Sequence, residues 1–423
     1  MMKHWIGAGV TTVLLISAVP VRAQVIDAAH ITHDPGATLL LPYFEAQVPK
    51  KIGGKAPGTD TLFSVNNASA SAALTRVTVW TDLAVPVLAF HVYLTGYDVQ
   101  SISVVDLLNG KLPVTADAGE DPSDTLSPHG QLSQDINYPG GNPPEPTQLD
   151  ATAIAHVRAA LTGKASPVDG LCSGRDYGEK KPIARGYVTV DSVGQYTTRL
   201  PNELEYFTQD VDRRNILWGD AFVVNKSKKV GRGDALVAIR ASSNDPQTTG
   251  ILEYSFYDGV NGSVTAVDGR QPLGSVWAGP FVNVPKHPYF SGGTSAAVWR
   301  DPKQPQGPFP CGTTPAWFPL GQRQLVAFDE QENPELSFGT PFPAATQLVK
   351  VGGPSLPLTS TSGWLYMDLN VDVGSGRPIE DPDAAQSFVS MVLESKGKYS
   401  IGVRGTVFDD AAEEDHASLP VQP

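Results

Sequence analysis

Short apolar–polar alternations, each closed by Asn, Pro or Gly, recur along most of this chain, and they point to an antiparallel β architecture. Residues 61–65 form one such run and end at Asn66-Asn67, a turn-forming pair. Residues 74–81 place Val77 and Val79 on one face and Arg76, Thr78 and Trp80 on the other. Phe90, Val92 and Leu94 then alternate with His91, Tyr93 and Thr95, and residues 99–105 read as a further strand. Strands so spaced mark a sandwich. More are expected at 184–190, 216–224, 235–240 and 251–257, then at 294–299, 324–328 and 363–369. A hairpin over 387–408 turns at Lys396-Gly397-Lys398. No long helical period alternates with these runs, which disfavours a parallel α/β fold, and no fixed repeat supports a propeller. The expected fold class is all-β, mainly antiparallel β-sandwich, with one short helix in a long loop excursion.

That excursion spans about 109–182. Residues 117–146 lack apolar periodicity, but Asp150 can cap a helix that presents Ile154, Val157 and Leu161 on one face and stops at Gly163. Residues 24–263 are read as a β-sandwich domain containing the excursion, 264–408 as a second β-rich unit packed on it, and 409–423 as a frayed acidic tail. One large elaborated sandwich is the alternative organisation.

Residues 1–23 read as a cleavable signal peptide: Lys3, an apolar run from Trp5 to Val21, no acid before Asp27, and small residues at Val21 and Ala23. Gly, Thr and Pro20 within the run make it a poor membrane span, and no later stretch reaches the roughly 20 apolar residues a span needs. The mature protein is therefore expected in the periplasm, at the cell surface or outside the cell. Net charge is -13, and removing Lys3 and Arg22 makes it about two units more negative. Such a field repels phosphate backbones, so nucleic acid is not an expected partner. The two cysteines, Cys172 and Cys311, are expected to pair in an oxidising compartment. Without CxxC or any third cysteine, structural zinc is excluded.

Several segments together resemble a group of exported bacterial β-rich proteins to which no activity is assigned. They are ATLLLPYF at 37–44, TLFSVNN at 61–67 and FHVYLTGYDV at 90–99, with RGYV at 185–188, LWGD at 217–220, AWFPLG at 316–321 and GWLY at 363–366. The group opens with a TLLFPYY-like segment. The resemblance implies an exported β-rich fold and transfers no functional residue.

Candidate chemistry is sparse. Ser295 follows a Gly-Gly-Thr run, but the nearest base-like segment holds His129 in a proline-rich loop and no GxSxG elbow exists, so it reads as the start of a strand. His30 and His33 lack an acidic partner. The acidic loop with Asp117, Glu120, Asp121 and Asp124 is the candidate Ca²⁺ site, weighed against an ordinary solvated acidic loop. Glu380, Asp381 and Asp383 rank below it. Asp329, Glu330, Glu332, Glu335, Asp368 and Asp372 could supply a glycosidase pair, although acids also decorate the rims of most sandwiches. Trp80, His91 and Tyr93 form an aromatic, polar face suited to a carbohydrate or a cell-surface partner, unless a second sheet or the excursion covers it. Arg232-Gly233-Asp234 reads as a turn. The expectation is a non-catalytic exported protein with a binding or structural role; the alternative is a secreted hydrolase acting on polysaccharide through paired carboxylates.

Overall fold

The computed structural model describes residues 34–56, 58–113, 148–203, 205–227, 230–241, 256–257, 269–284, 286–302, 307–336, 339–370, 386–395 and 398–407. The signal-peptide segment, His30, His33, the candidate Ca²⁺ loop of Asp117, Glu120, Asp121 and Asp124, the run at 380–383 and the 409–423 tail lie outside them.

Four antiparallel sheets carry the fold, which is all-β as expected. The first has the order β10 (Val237–Ile239), β1 (Thr38–Gln47), β6 (Ile183–Val193), β3 (Ala73–Thr81), β4 (Pro86–Leu94). The second runs β5 (Val99–Ser103), β2 (Thr59–Asn67), β8 (Asp220–Asn225), β9 (Val230–Ala235), with β7 (Leu217–Trp218) also on β2. The third is β14 (Pro334–Leu336), β13 (Gln324–Phe328), β16 (Ser362–Asp368), β11 (Val276–Val282), β19 (Thr406–Val407). The fourth is β15 (Thr346–Lys350), β12 (Gly293–Arg300), β17 (Ser387–Ser395), β18 (Tyr399–Arg404).

Alternation decides which side chains meet. Val77, Val79, Phe90, Val92, Val188 and Val190 of the first sheet pack on Phe63, Val65 and Ile102 of the second, closing one sandwich. Trp277, Leu365 and Met367 of the third sheet pack on Val298, Val389 and Met391 of the fourth, closing another. That second core continues into the far face of the first sheet through Leu74, Trp80, Tyr187 and Val193. Trp80 stacks on Tyr187 with centroids 5.5 Å apart, Tyr187 meets the edge of Trp299 at 6.0 Å, and Trp299 stacks on Phe256 at 5.3 Å. Each such side chain contributes roughly 1.5–3 kcal/mol on full burial, so the two sandwiches share a core rather than hang on a linker.

Local chemistry explains where the chain departs from the expected elements. The strand expected to reach residue 105 stops at Ser103, whose hydroxyl accepts the Asp106 N–H and caps a helix, α1 (Val104–Leu108). The expected helix α2 (Ala151–Ala160) is capped by Asp150, which accepts the Ala153 N–H at 2.7 Å, and the chain turns away at Gly163 with φ 67°. Arg232-Gly233-Asp234, expected as a turn, lies within β9, and Asp234 pairs with Arg404 of β18 at 3.2 Å across the junction.

A π-helical turn, Tyr206–Asp210, closes one end of the shared core. The buried Asp210 carboxylate accepts Thr197 Oγ1 at 2.6 Å, Gln195 Nε2 at 2.7 Å and Arg199 Nη1 at 3.0 Å. Burial would raise its pKa, but these bonds together outweigh burial and hold the carboxyl below its ordinary value. Its contribution to stability is therefore complete above the unfolded pKa of about 4 and is lost as pH falls through the lowered folded value. The stability gap between wild type and Asp210→Asn, followed by urea unfolding, should shrink between about pH 6 and about pH 2. A gap that does not change with pH would contradict this assignment.

Candidate ligand cleft

A β-bulge builds the site. The register of β1 against β6 shifts between Leu41 and Phe44, which takes Pro42 and Tyr43 out of the ladder. Proline cannot donate to a ladder, and a bulge re-aims the side chain beside it. The freed Pro42 carbonyl accepts the Thr346 hydroxyl at 2.5 Å, across the junction. Tyr43 packs on Ala297 and Val392 of the fourth sheet. It lines two cavities between the sandwiches. The larger, about 420 Å³, has Arg175, Tyr177 and Arg185 on one wall and Thr340, Gln347 and Ser355 on the other. The smaller, about 50 Å³, includes Arg232 and Asp234.

The wall with the arginines is held from three directions. Cys172 and Cys311 form the expected disulfide, with Cα atoms 5.0 Å apart, and Cys172 exchanges backbone hydrogen bonds with Phe309 at 2.8 and 2.9 Å. Three residues further on, the Arg175 N–H donates to Asp82 Oδ1 at 3.0 Å and the Tyr177 hydroxyl donates to Asp82 Oδ2 at 2.7 Å. The Asp82 carbonyl in turn accepts the Ala345 N–H at 3.0 Å, so one residue of the β3–β4 turn ties together the cleft wall and the second sandwich. Arg185 is fixed by its place in β6, opposite Glu45 of β1 with its N–H donating to the Leu161 carbonyl at 3.1 Å, and beside it a Cβ on Gly186 would stand 1.9 Å from the Trp80 carbonyl, so only glycine fits there.

Charge in the cleft is positive in an acidic protein. Arg185 holds Glu179 at 2.6 Å and 3.2 Å with its two terminal nitrogens, and its guanidinium lies 4.4 Å from the Tyr177 ring centroid. Burial would lower Arg185, yet Glu179 and the neighbouring tyrosines outweigh it and raise its pKa. The Arg175 guanidinium lies over two rings, Tyr177 at 5.1 Å and Phe318 at 5.2 Å. Burial, followed by the Asp82 charge, pushes the Tyr177 hydroxyl far above its ordinary pKa, and burial does the same to Tyr43. Both hydroxyls stay protonated and can donate. Asp82 is itself raised by burial.

The face expected to stack on sugars is elsewhere in the architecture. Trp80 is 0 %, His91 6 % and Tyr93 8 % exposed. Trp80 donates to Thr189 Oγ1 at 2.9 Å, and His91 accepts the Thr197 N–H on Nε2 at 3.2 Å with Arg76 3.3 Å from Nδ1. The three do share the face opposite Val77 and Val79, but the second sandwich and the 195–210 segment cover that side, so they do not present a ligand surface. No family model, curated protein or solved structure matches the chain. The cleft must therefore be judged on its own chemistry.

An exposed aromatic side chain does exist on the second unit, where Trp364 stacks on the half-buried Phe328 at 4.6 Å. The acids considered for hydrolysis are spread over separate structural tasks. Asp329 accepts from Asn333, Glu335 from Thr359 and Ser360, and Glu330 from Ser362, while Asp368 sits near Arg323 at 3.9 Å. Asp372 lies outside the described residues. Ser295 sits in β12, as expected. Among the described residues, no three His, Cys, Asp or Glu side chains are grouped to hold a metal ion, and no helix is long and apolar enough to cross a membrane. Tyr43, Arg175, Tyr177 and Arg185 were not singled out from the sequence. The available signals were a proline inside an apolar run at 39–44 and an arginine followed by glycine opening the strand at 185.

Proposed function

We propose that this chain is an exported, non-catalytic binding protein of the periplasm or cell surface that holds a carbohydrate or cell-surface ligand in the cleft between its two sandwiches. The single observation that carries the reading is the cleft itself: about 420 Å³ at a unit junction, walled by Tyr43 and Arg185 on strands and by Arg175 and Tyr177 on a segment tied to Asp82. Binding sites favour such junctions, with a few fixed polar groups in a concave wall. Export is supported by the Cys172–Cys311 bridge, which belongs to a non-reducing environment, and by residues 1–23, read as a removable leader. The hydrolase reading would draw on two carboxylates facing one cavity. Among the described residues the larger cleft is lined by none and the smaller by Asp234 alone.

A glycan array run beside a polysaccharide-release assay on the purified mature protein tests the proposal. Retention of a glycan without release of reducing ends is the expected result. Release of reducing ends would overturn it in favour of the hydrolase, and neither retention nor release would remove carbohydrate as the ligand class.

A further inference from the structure

We infer that the ligand of this cleft carries an oxyanion, a carboxylate or a sulfate, and that Arg175 is the group that reads it. The inference rests on the cleft being the binding site and names the chemistry of what it takes.

The two arginines of the wall are not equivalent. Arg185 already spends both terminal nitrogens on Glu179. Arg175 has no carboxylate within ion-pair distance among the described residues, and its guanidinium rests over Tyr177 and Phe318 while lining the cavity. Asp82 acts on it through its charge, but its carboxylate accepts the Arg175 backbone N–H and the Tyr177 hydroxyl and not the guanidinium. A guanidinium stacked on rings keeps its edge free, and that planar edge matches a carboxylate or sulfate with two parallel hydrogen bonds. Its backbone is fixed by the Asp82 bond and by the disulfide three residues away, so little ordering remains to be done on binding.

The surroundings favour the same class. With a net charge of -13, most of the surface repels anions, yet Arg175 and Arg185 face this cavity and Arg232 lines the neighbouring one beyond Tyr43. With Arg185 paired to Glu179, it is Arg175, which has no carboxylate at ion-pair distance among the described residues, that gives the concave wall a charge to draw an anion. Opposite the arginines, Thr340 and Ser355 offer hydroxyls and Gln347 an amide, groups that suit the hydroxyls of a sugar bearing the anion.

Calorimetric titration of the full mature chain tests this with three probes: trigalacturonate, the neutral galactose trimer and sodium sulfate alone. Trigalacturonate should bind, the neutral trimer should bind about 10-fold more weakly or not at all, and wild-type affinity should fall as salt is raised. Arg175→Gln should weaken trigalacturonate about 10-fold or more, whereas the charge-matched Lys226→Gln on the β8–β9 turn should leave it unchanged. Sulfate binding as tightly as trigalacturonate would keep the oxyanion and make its source a free ion. Equal binding of acidic and neutral trimers, or wild-type affinity in Arg175→Gln, would overturn the inference while leaving the cleft as a neutral-sugar site. Absence of binding by all three probes would overturn both. The salt dependence reads the same claim on unaltered protein, should Arg175→Gln fail to fold.

Discussion

Removing the disulfide with a Cys172→Ala/Cys311→Ala double variant should lower the unfolding free energy by about 5 kcal/mol, the chain-entropy value for a loop of its size. The bridge spans 139 residues, which puts it at the strong end of the range, because freeing a long loop returns the most entropy to the unfolded chain. The bridge also joins the excursion to the loop before the Trp317–Leu320 segment of the second sandwich. Its loss should therefore act first on the wall that carries Arg175 and Tyr177. Urea unfolding of oxidised wild type against the double variant measures the change. A loss under about 1 kcal/mol would mean that the aromatic junction alone fixes that wall and that the unfolded chain is already compact there.

Asp191→Ala should cost about 3–5 kcal/mol, the range for breaking a buried charged network. Asp191 on β6 is fully buried and accepts Thr38 Oγ1 at 2.5 Å, the Tyr206 hydroxyl at 2.8 Å and the Tyr257 hydroxyl at 2.9 Å. The equally buried Arg270 lies 3.7 Å away and donates to Thr38 Oγ1 and, at 3.2 Å, to the Asp212 carbonyl. Burial first, and then the Asp191 charge, push both tyrosines well above their ordinary pKa, so each remains a donor. Truncating Asp191 removes the acceptor of three hydroxyls and the charge beside one buried cation at once. Tyr206→Phe removes one donor and should cost only about 1 kcal/mol. Equal losses for the two variants in denaturant unfolding would show that Arg270 does not depend on Asp191.

Strands whose runs alternate or are bounded by turn residues were legible in the sequence even where both faces are buried, as in β3, β6 and β12. β13 was expected at its observed bounds, and β2, β6, β12 and β16 within a few residues. β1 was not expected, because the run ATLLLPYF shows no polar alternation and carries a proline, Pro42, in its middle. β11 was hidden by Gly279 and Pro280 in its middle. Val104 and Val105 favour a strand by branching, yet the Ser103 cap turns them into helix. The face of Trp80 was assigned correctly from alternation, but whether that face meets water depends on a unit encoded some 200 residues later, which no local pattern carries. The cleft escaped for the same reason: Tyr43, Arg175, Arg185 and Gln347 converge from distant segments, and their spacing in the chain has no period to detect. Pairing of Cys172 with Cys311 could be anticipated because two cysteines allow one intramolecular partner choice.

The most direct measurement is hydrogen–deuterium exchange on the mature protein with and without the best-retained glycan from the array. Ligand should slow exchange only in the two walls of the cleft, residues 172–186 and 339–350, with little change around Trp364 and Phe328. Protection centred on the Phe328–Trp364 face with the cleft walls unchanged would contradict binding in the cleft.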